Sequence, residues 1–230
     1  MPDNDTNFYA GHRDRLREKF VSNKLTEYEK LELLLAYAIP RRDVRPLARG
    51  LIKEFGGVYH VLTAPLESLM EFKGVGRNTA IFLKLVQDMM KIGHMGYMKE
   101  NPIFHDEKTL HNYCRMSVAG KQVEELHVLY LDDNLKLIVD EIHTTGTFNS
   151  SAVYPREIAR SALKHNARSV VMFHNHPTSI NAFSQDDLEI TIQTMAILES
   201  LGIGFYDHFL VANDIVYSMR ASHMLDKSNK

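Results

Sequence analysis

The chain has 230 residues, with 27 Lys+Arg against 29 Asp+Glu, 44% hydrophobic and 24% charged, which is the balance of an ordinary globular protein and excludes wholesale disorder. The single cysteine, Cys114, excludes an internal disulfide framework. The longest apolar run, Leu31 to Ile39, carries Glu32 and is far shorter than the roughly twenty residues a bilayer requires, so no membrane role is expected. No N-terminal stretch joins a basic region to an apolar core and a cleavage site, and the expected location is the cytoplasm. Residues 1 to 100 carry a net +3 and residues 101 to 230 a net −5, a mild asymmetry compatible with phosphate contact by the first part.

The first part reads as short helices. Thr26 with Glu29 forms a capping box ahead of Leu31, Leu34, Leu35 and Ala38, and Pro40 stops the run. Asp43 opens a second helix, which Gly56-Gly57 closes. A third unit is expected over Thr63 to Phe72 and a fourth from Gly76 to about Ile92. Between them, F-K-G-V-G-R places Gly74 and Gly76 in a tight turn whose N–H groups suit a DNA phosphate, with Lys73 and Arg77 adding charge. A glycine turn joining two packed helices explains the same letters.

The segment Gly93 to Pro102 combines glycines and a proline and reads as linker. We divide the chain into an all-helical domain over 1–98, a linker over 99–106 and a second domain over 107–226. That domain begins with a helix near Glu107 to Met116, followed by two runs, L-H-V-L-Y-L and L-K-L-I-V-D-E-I, that flank Asp132-Asp133-Asn134 as a hairpin. Pro155 opens an amphipathic helix, and R-S-V-V-M-F-H reads as a buried strand. Leu188, Ile192, Met195 and Leu198 step along one helical face up to Gly202, and two strands finish the chain. The order β-β-α-β-α-β-β describes a mixed sheet with helices packed on it.

The chemistry concentrates in F-H-N-H-P-T-S-I-N-A-F-S-Q-D-D, Phe173 to Asp187. Residues two apart on a strand share a side, so His174 and His176 can aim at one point; Pro177 turns the chain away, and Asp187 lies within reach. Two imidazoles, one carboxylate and an open fourth position are the ligand set of a hydrolytic zinc centre. A simpler account also stands: Ser184 as an N-cap with acidic residues in the first helical turn.

H-N-H-P-x6-S-x-x-D looks like the metal-binding signature of the JAMM (MPN-plus) metalloproteases. V-L-Y-L-D-x-x-N, V-Y-P-R-E-I, H-N-A and D-H-F-L-V around it resemble the RadC family, over nearly the whole chain. The resemblance implies a JAMM-type, cytidine-deaminase-like α/β domain preceded by a small all-α domain with a helix-hairpin-helix-like element over about 66–92. It makes His174, His176 and Asp187 the ligands of one zinc ion per chain, Ser184 an oxyanion-stabilising hydroxyl and Glu124 the proton-transferring carboxylate. Glu125 is adjacent and would face the other way on a strand. The implied substrate is the amide or isopeptide bond of a protein or peptide, attacked by water, with weak sequence-independent duplex DNA binding through Lys73, Gly74, Gly76 and Arg77. A DNA-binding repair or recombination adaptor with a non-catalytic metal, and a metal-dependent nuclease, are the alternatives. Thr178 to Phe183 departs from the family's serine-glycine pair, and His208 is open between a packed core histidine and a supporting group. His127, His143 and His165 show no mutual spacing that suggests a site.

Overall fold

The computed structural model describes residues 6–146, 155–178 and 180–225. The expected domain ends at residues 1 and 226, Val153 and Tyr154 of V-Y-P-R-E-I, and Ser179 lie outside them. The chain forms two compact units, Met1–Met89 and Met90–Lys230.

The first unit is helical throughout its described residues: α1 (Thr6–Val21), α2 (Glu27–Ala38), α3 (Arg45–Phe55), α4 (Val58–Thr63), α5 (Leu66–Glu71) and the first half of α6 (Arg77–Glu100). Thr26 caps α2 as expected: its hydroxyl accepts from Glu29 N at 3.2 Å and Glu29 Oε2 accepts from Thr26 N at 2.9 Å. Gly56 ends α3 with φ of 90°, a left-handed conformation that favours glycine. The unit expected over Thr63 to Phe72 is the shorter α5, and Ala64 and Pro65 separate it from α4, a helix not expected from the sequence. Asp43 does not cap α3 through its end; it accepts from Arg45 N and pairs with the Arg45 guanidinium, while Val44 holds the cap position. Leu31, Leu35, Leu51, Val61, Leu69, Val75 and Leu83 share this unit's core.

The linker expectation is corrected at its start. α6 continues through Gly93 and Gly96 to Glu100, and the division between units falls within that helix, at Met89/Met90. Each glycine costs a helix about 1 kcal/mol. Burial of Met98, with Met95 packed against the same cluster, offsets that cost.

The second unit contains α7 (Glu107–Val118), β1 (Glu125–Leu131), β2 (Leu137–Thr145), α8 (Pro155–Lys164), β3 (Ser169–Asn175), α9 (Gln185–Ser200), β4 (Gly204–Ala212) and β5 (Ile215–Ser218). The sheet order is β2-β1-β3-β4-β5, with β3 parallel to β4 and the remaining neighbours antiparallel. It is the expected mixed α/β arrangement. β3 has neighbours on both edges and helices over both faces, so all seven of its residues are buried. On one face Leu129, Leu131, Val171 and Phe173 pack with Leu110, Tyr113 and Cys114 of α7. On the other, Leu126, Val128, Val170 and Met172 pack with Ile158 and Ala162 of α8 and Ile190 and Leu198 of α9.

The buried face of α9 differs from the apolar stripe expected for it. Asp187, Ile190, Thr191, Thr194 and Leu198 face inward, whereas Ile192 is exposed. Polar residues occupy this face because hydrogen bonds engage Asp187 Oδ2 and the Thr191 hydroxyl there, which hydrophobic periodicity does not register.

Thr26→Ala is expected to destabilise the first unit by about 1 kcal/mol, within the 0.5–2 range typical of lost N-caps, as a lower denaturant midpoint for loss of helical signal.

Candidate metal centre

The centre is assembled where β3 ends. His176 lies just past the strand, yet its N–H donates to Val211 O at 3.1 Å and so continues the ladder with β4 by one residue. His174 and His176 therefore project to the same face, and their Nε2 atoms stand 3.1 Å apart. α9 supplies the third group. Ser184 caps the helix, and Asp187 at its third position returns Oδ2 to accept from Ser184 N at 2.6 Å. The cap engages one carboxylate oxygen and presents the other inward: Oδ1 is 3.3 Å from His174 Nε2, and Oδ2 is 3.6 Å from His176 Nε2. Among the described residues, these three form the one cluster of histidine, cysteine or acidic side chains able to hold a metal ion.

Proton placement follows from the fixed acceptors. The Ile180 carbonyl, 3.0 Å from His176 Nδ1, can only accept, so Nδ1 carries the proton and Nε2 presents a lone pair. Asp187 is 1% exposed, and its Oδ1 is buried without a hydrogen-bond partner. Electron-rich atoms thus converge at a point where His174 and Asp187 are buried and His176 is partly exposed, an arrangement a cation resolves. Two imidazoles and a carboxylate are a zinc-type donor set, and the residues present fit that ion.

Without a cation, protonated imidazoles would instead turn N–H groups toward Asp187, and the direction of each shift at Asp187 and His176 reflects that proton-bound form. Burial pushes the Asp187 carboxyl up, but the His174 and His176 imidazoles and the Ser184 N–H outweigh it and hold the group well below the usual carboxylate range. Burial pulls His176 down, and Asp187, the Ile180 carbonyl and the charge of Glu124 together raise it above its ordinary value. Burial, reinforced by His174, drives His208 far below the usual histidine range, so its imidazole is neutral.

Strand register separates the two glutamates. Leu126 pairs with His174, and Gly146 N donates to Glu124 O, extending the β1 ladder backward by one residue. Glu124 is two residues before Leu126, on the His174 face, and its charge reaches His176. Glu125 belongs to the opposite face, where Lys121 binds it at 2.9 Å and His127 lies 3.5 Å away. Asn175, between the two histidines, points to that opposite face as well. Its Oδ1 accepts from Glu125 N at 2.9 Å and its Nδ2 donates to Val123 O at 3.0 Å, gripping the backbone on both sides of Glu124.

His208, left open by the sequence, supports the cluster: its Nε2 is 2.8 Å from His174 Nδ1. Phe183, from the departing loop, stands over both rings at 6.1 Å from His174 and 5.7 Å from His208. The D-H-F-L-V match signalled His208; no spacing rule pointed to Asn175 or Thr191. His127, His143 and His165 engage Asp140, Tyr130 and Glu141 respectively, apart from the cluster.

A model of the RadC-like JAB domain matches residues 104–224. The chain belongs to the RadC family. It is also similar to UPF0758 protein SPO0054 of Ruegeria pomeroyi, 37% identical over 221 residues, which cover 95% of this chain and 99% of that protein.

The remaining expected site residues of this RadC-family chain lie in the first unit. Gly74 has φ of 101° in the turn between α5 and α6, and Val75 is buried beneath it. Lys73, Gly76 and Arg77 are exposed, and the Arg42 guanidinium lies 3.5 Å from where a Cβ at Gly74 would stand. No helix among the described residues is long and apolar enough to cross a membrane.

Asn175→Ala removes the partner of the buried Glu125 N–H and leaves it unsatisfied. Loss of about 1–3 kcal/mol is expected, read as a lower unfolding midpoint of the second unit.

Proposed function

We propose that this protein is a zinc-dependent hydrolase, with one ion per chain, that cleaves an amide or isopeptide bond of a peptide or protein. One observation carries the reading: His174 Nε2, His176 Nε2 and the hydrogen-bond-free Asp187 Oδ1 converge in a buried space. Glu124 occupies the same sheet face.

A bound zinc ion supplies Lewis acidity and lowers the pKa of a coordinated water to about 7. Glu124 takes the proton from the attacking water. The water oxygen adds to the carbonyl carbon, the C–N bond breaks, and Glu124 returns the proton to the departing nitrogen, leaving an acid and an amine. Ser184 Oγ accepts from Asp187 N at 3.1 Å, so its hydroxyl proton is free to meet the substrate's developing oxyanion. Asn175 keeps the Glu124 backbone from shifting during these transfers.

Purified protein is expected to hold about one zinc per chain by elemental analysis, as the three-ligand centre implies, and His174→Ala and Asp187→Ala are expected to lose it. Binding requires an unprotonated His176 Nε2, and the folded protein holds that imidazole above its ordinary value. Zinc affinity should therefore be complete above the raised pKa and fall as pH drops through it, about tenfold per pH unit for each displaced proton. Asp187, held ionised, adds no competing proton in that window.

Hydrolysis is tested on a panel of peptides and isopeptide-linked conjugates. Glu124→Gln should retain zinc and lose about 10²–10⁴-fold in turnover. Full turnover by that variant, or zinc-loaded wild type that cleaves none of the panel, contradicts the reaction assigned here.

A further inference from the structure

Behind the metal cluster runs a chain of hydrogen bonds that starts at the main chain of Asp187 and ends at His174. The Thr191 hydroxyl is 2.6 Å from the main-chain carbonyl oxygen of Asp187. It is also 2.6 Å from His208 Nδ1, and His208 Nε2 is 2.8 Å from His174 Nδ1. His174 Nε2 then faces Asp187 Oδ1 at 3.3 Å. Thr191, His208 and His174 are each 0% exposed, so no water exchanges into the chain from bulk.

The carbonyl at one end sets every proton. It can only accept, so the single Thr191 hydroxyl hydrogen is committed to it. Thr191 Oγ must then accept from His208 Nδ1–H. A neutral His208 is left with a lone pair at Nε2, which accepts from His174 Nδ1–H. His174 is consequently the tautomer whose Nε2 lone pair points at His176 and Asp187. The opposite tautomer would aim an N–H at the cluster and oppose a cation.

We propose that Thr191 and His208 are positioning residues that set the zinc affinity of the centre by locking His174 into its metal-binding tautomer and ring orientation. Neither side chain contacts the ion's position; both act through His174. The inference rests on the metal reading above and assigns those two residues a role in it. Partners behind a ligating histidine typically change metal affinity about 10–100-fold.

The test measures zinc affinity of the full chain by competition with a chromophoric chelator, using Zn²⁺ alone as probe. Thr191→Val keeps the shape and removes the hydroxyl, and it should weaken zinc binding by about 10–100-fold. Thr191→Ser restores the hydroxyl and should recover wild-type affinity, a rescue that a packing role would not produce. Imidazole ¹⁵N resonances of the metal-free wild type provide a readout independent of any variant's folding, and should show His174 protonated at Nδ1. An unchanged affinity in Thr191→Val, a Thr191→Ser variant as weak as Thr191→Val, or His174 protonated at Nε2 overturns the proposal while leaving the metal site standing. Wild type that binds no zinc overturns the metal reading, and the proposal falls with it.

Discussion

Three electron-rich atoms held against one another at a largely buried point are the constraint on which the second unit depends. His174 Nε2, His176 Nε2 and Asp187 Oδ1 lie within a few ångströms, and Asp187 Oδ1 makes no hydrogen bond. An ionised carboxylate out of water is costly unless charge or hydrogen bonds compensate it. The surrounding elements supply part of that compensation: a helix N-terminus behind Asp187, the Ile180 carbonyl holding His176, and His208 holding His174. The rest is what a cation provides.

The two accounts of S-Q-D-D, helix cap and candidate metal ligand, are compatible because a carboxylate has two oxygens. The capping box uses Oδ2 and thereby orients Oδ1. Local helix chemistry in this way turns one carboxylate oxygen toward the two imidazoles. H-N-H works by the same economy. Alternation sends His174 and His176 to one face and Asn175 to the other, where its amide bridges Val123 O and Glu125 N. One tripeptide thus supplies two imidazoles and anchors the strand that carries Glu124.

Much of the fold was legible because its signals are local. The capping boxes at Thr26 and Ser184, the left-handed Gly56 and the β-branched run of β3 depend on neighbours within a few residues. Misreadings arose where distant packing outweighed local preference. Gly93 and Gly96 suggested a break, but the helix persists because Met98 is buried in the second unit. Leu188, Ile192 and Met195 suggested the inward face of α9, which belongs instead to Asp187, Thr191 and Thr194. Thr191 is inside because its hydroxyl bonds to the Asp187 carbonyl and to His208, and Asp187 because its carboxylate caps the helix.

The sequence by itself determined the residue types of the His-His-Asp cluster, their order and the strand-then-capped-helix grammar that brings them near one another, since spacing of two along a strand and three within a cap are properties of the backbone. Only the tertiary structure decided which glutamate shares the histidines' face, because that depends on the register of β1 against β3. It alone also joined Thr191 on α9 and His208 on β4 to His174 on β3. Contacts between residues 17 and 34 positions apart are made by the packing of helix on sheet, and no periodicity in the chain encodes them.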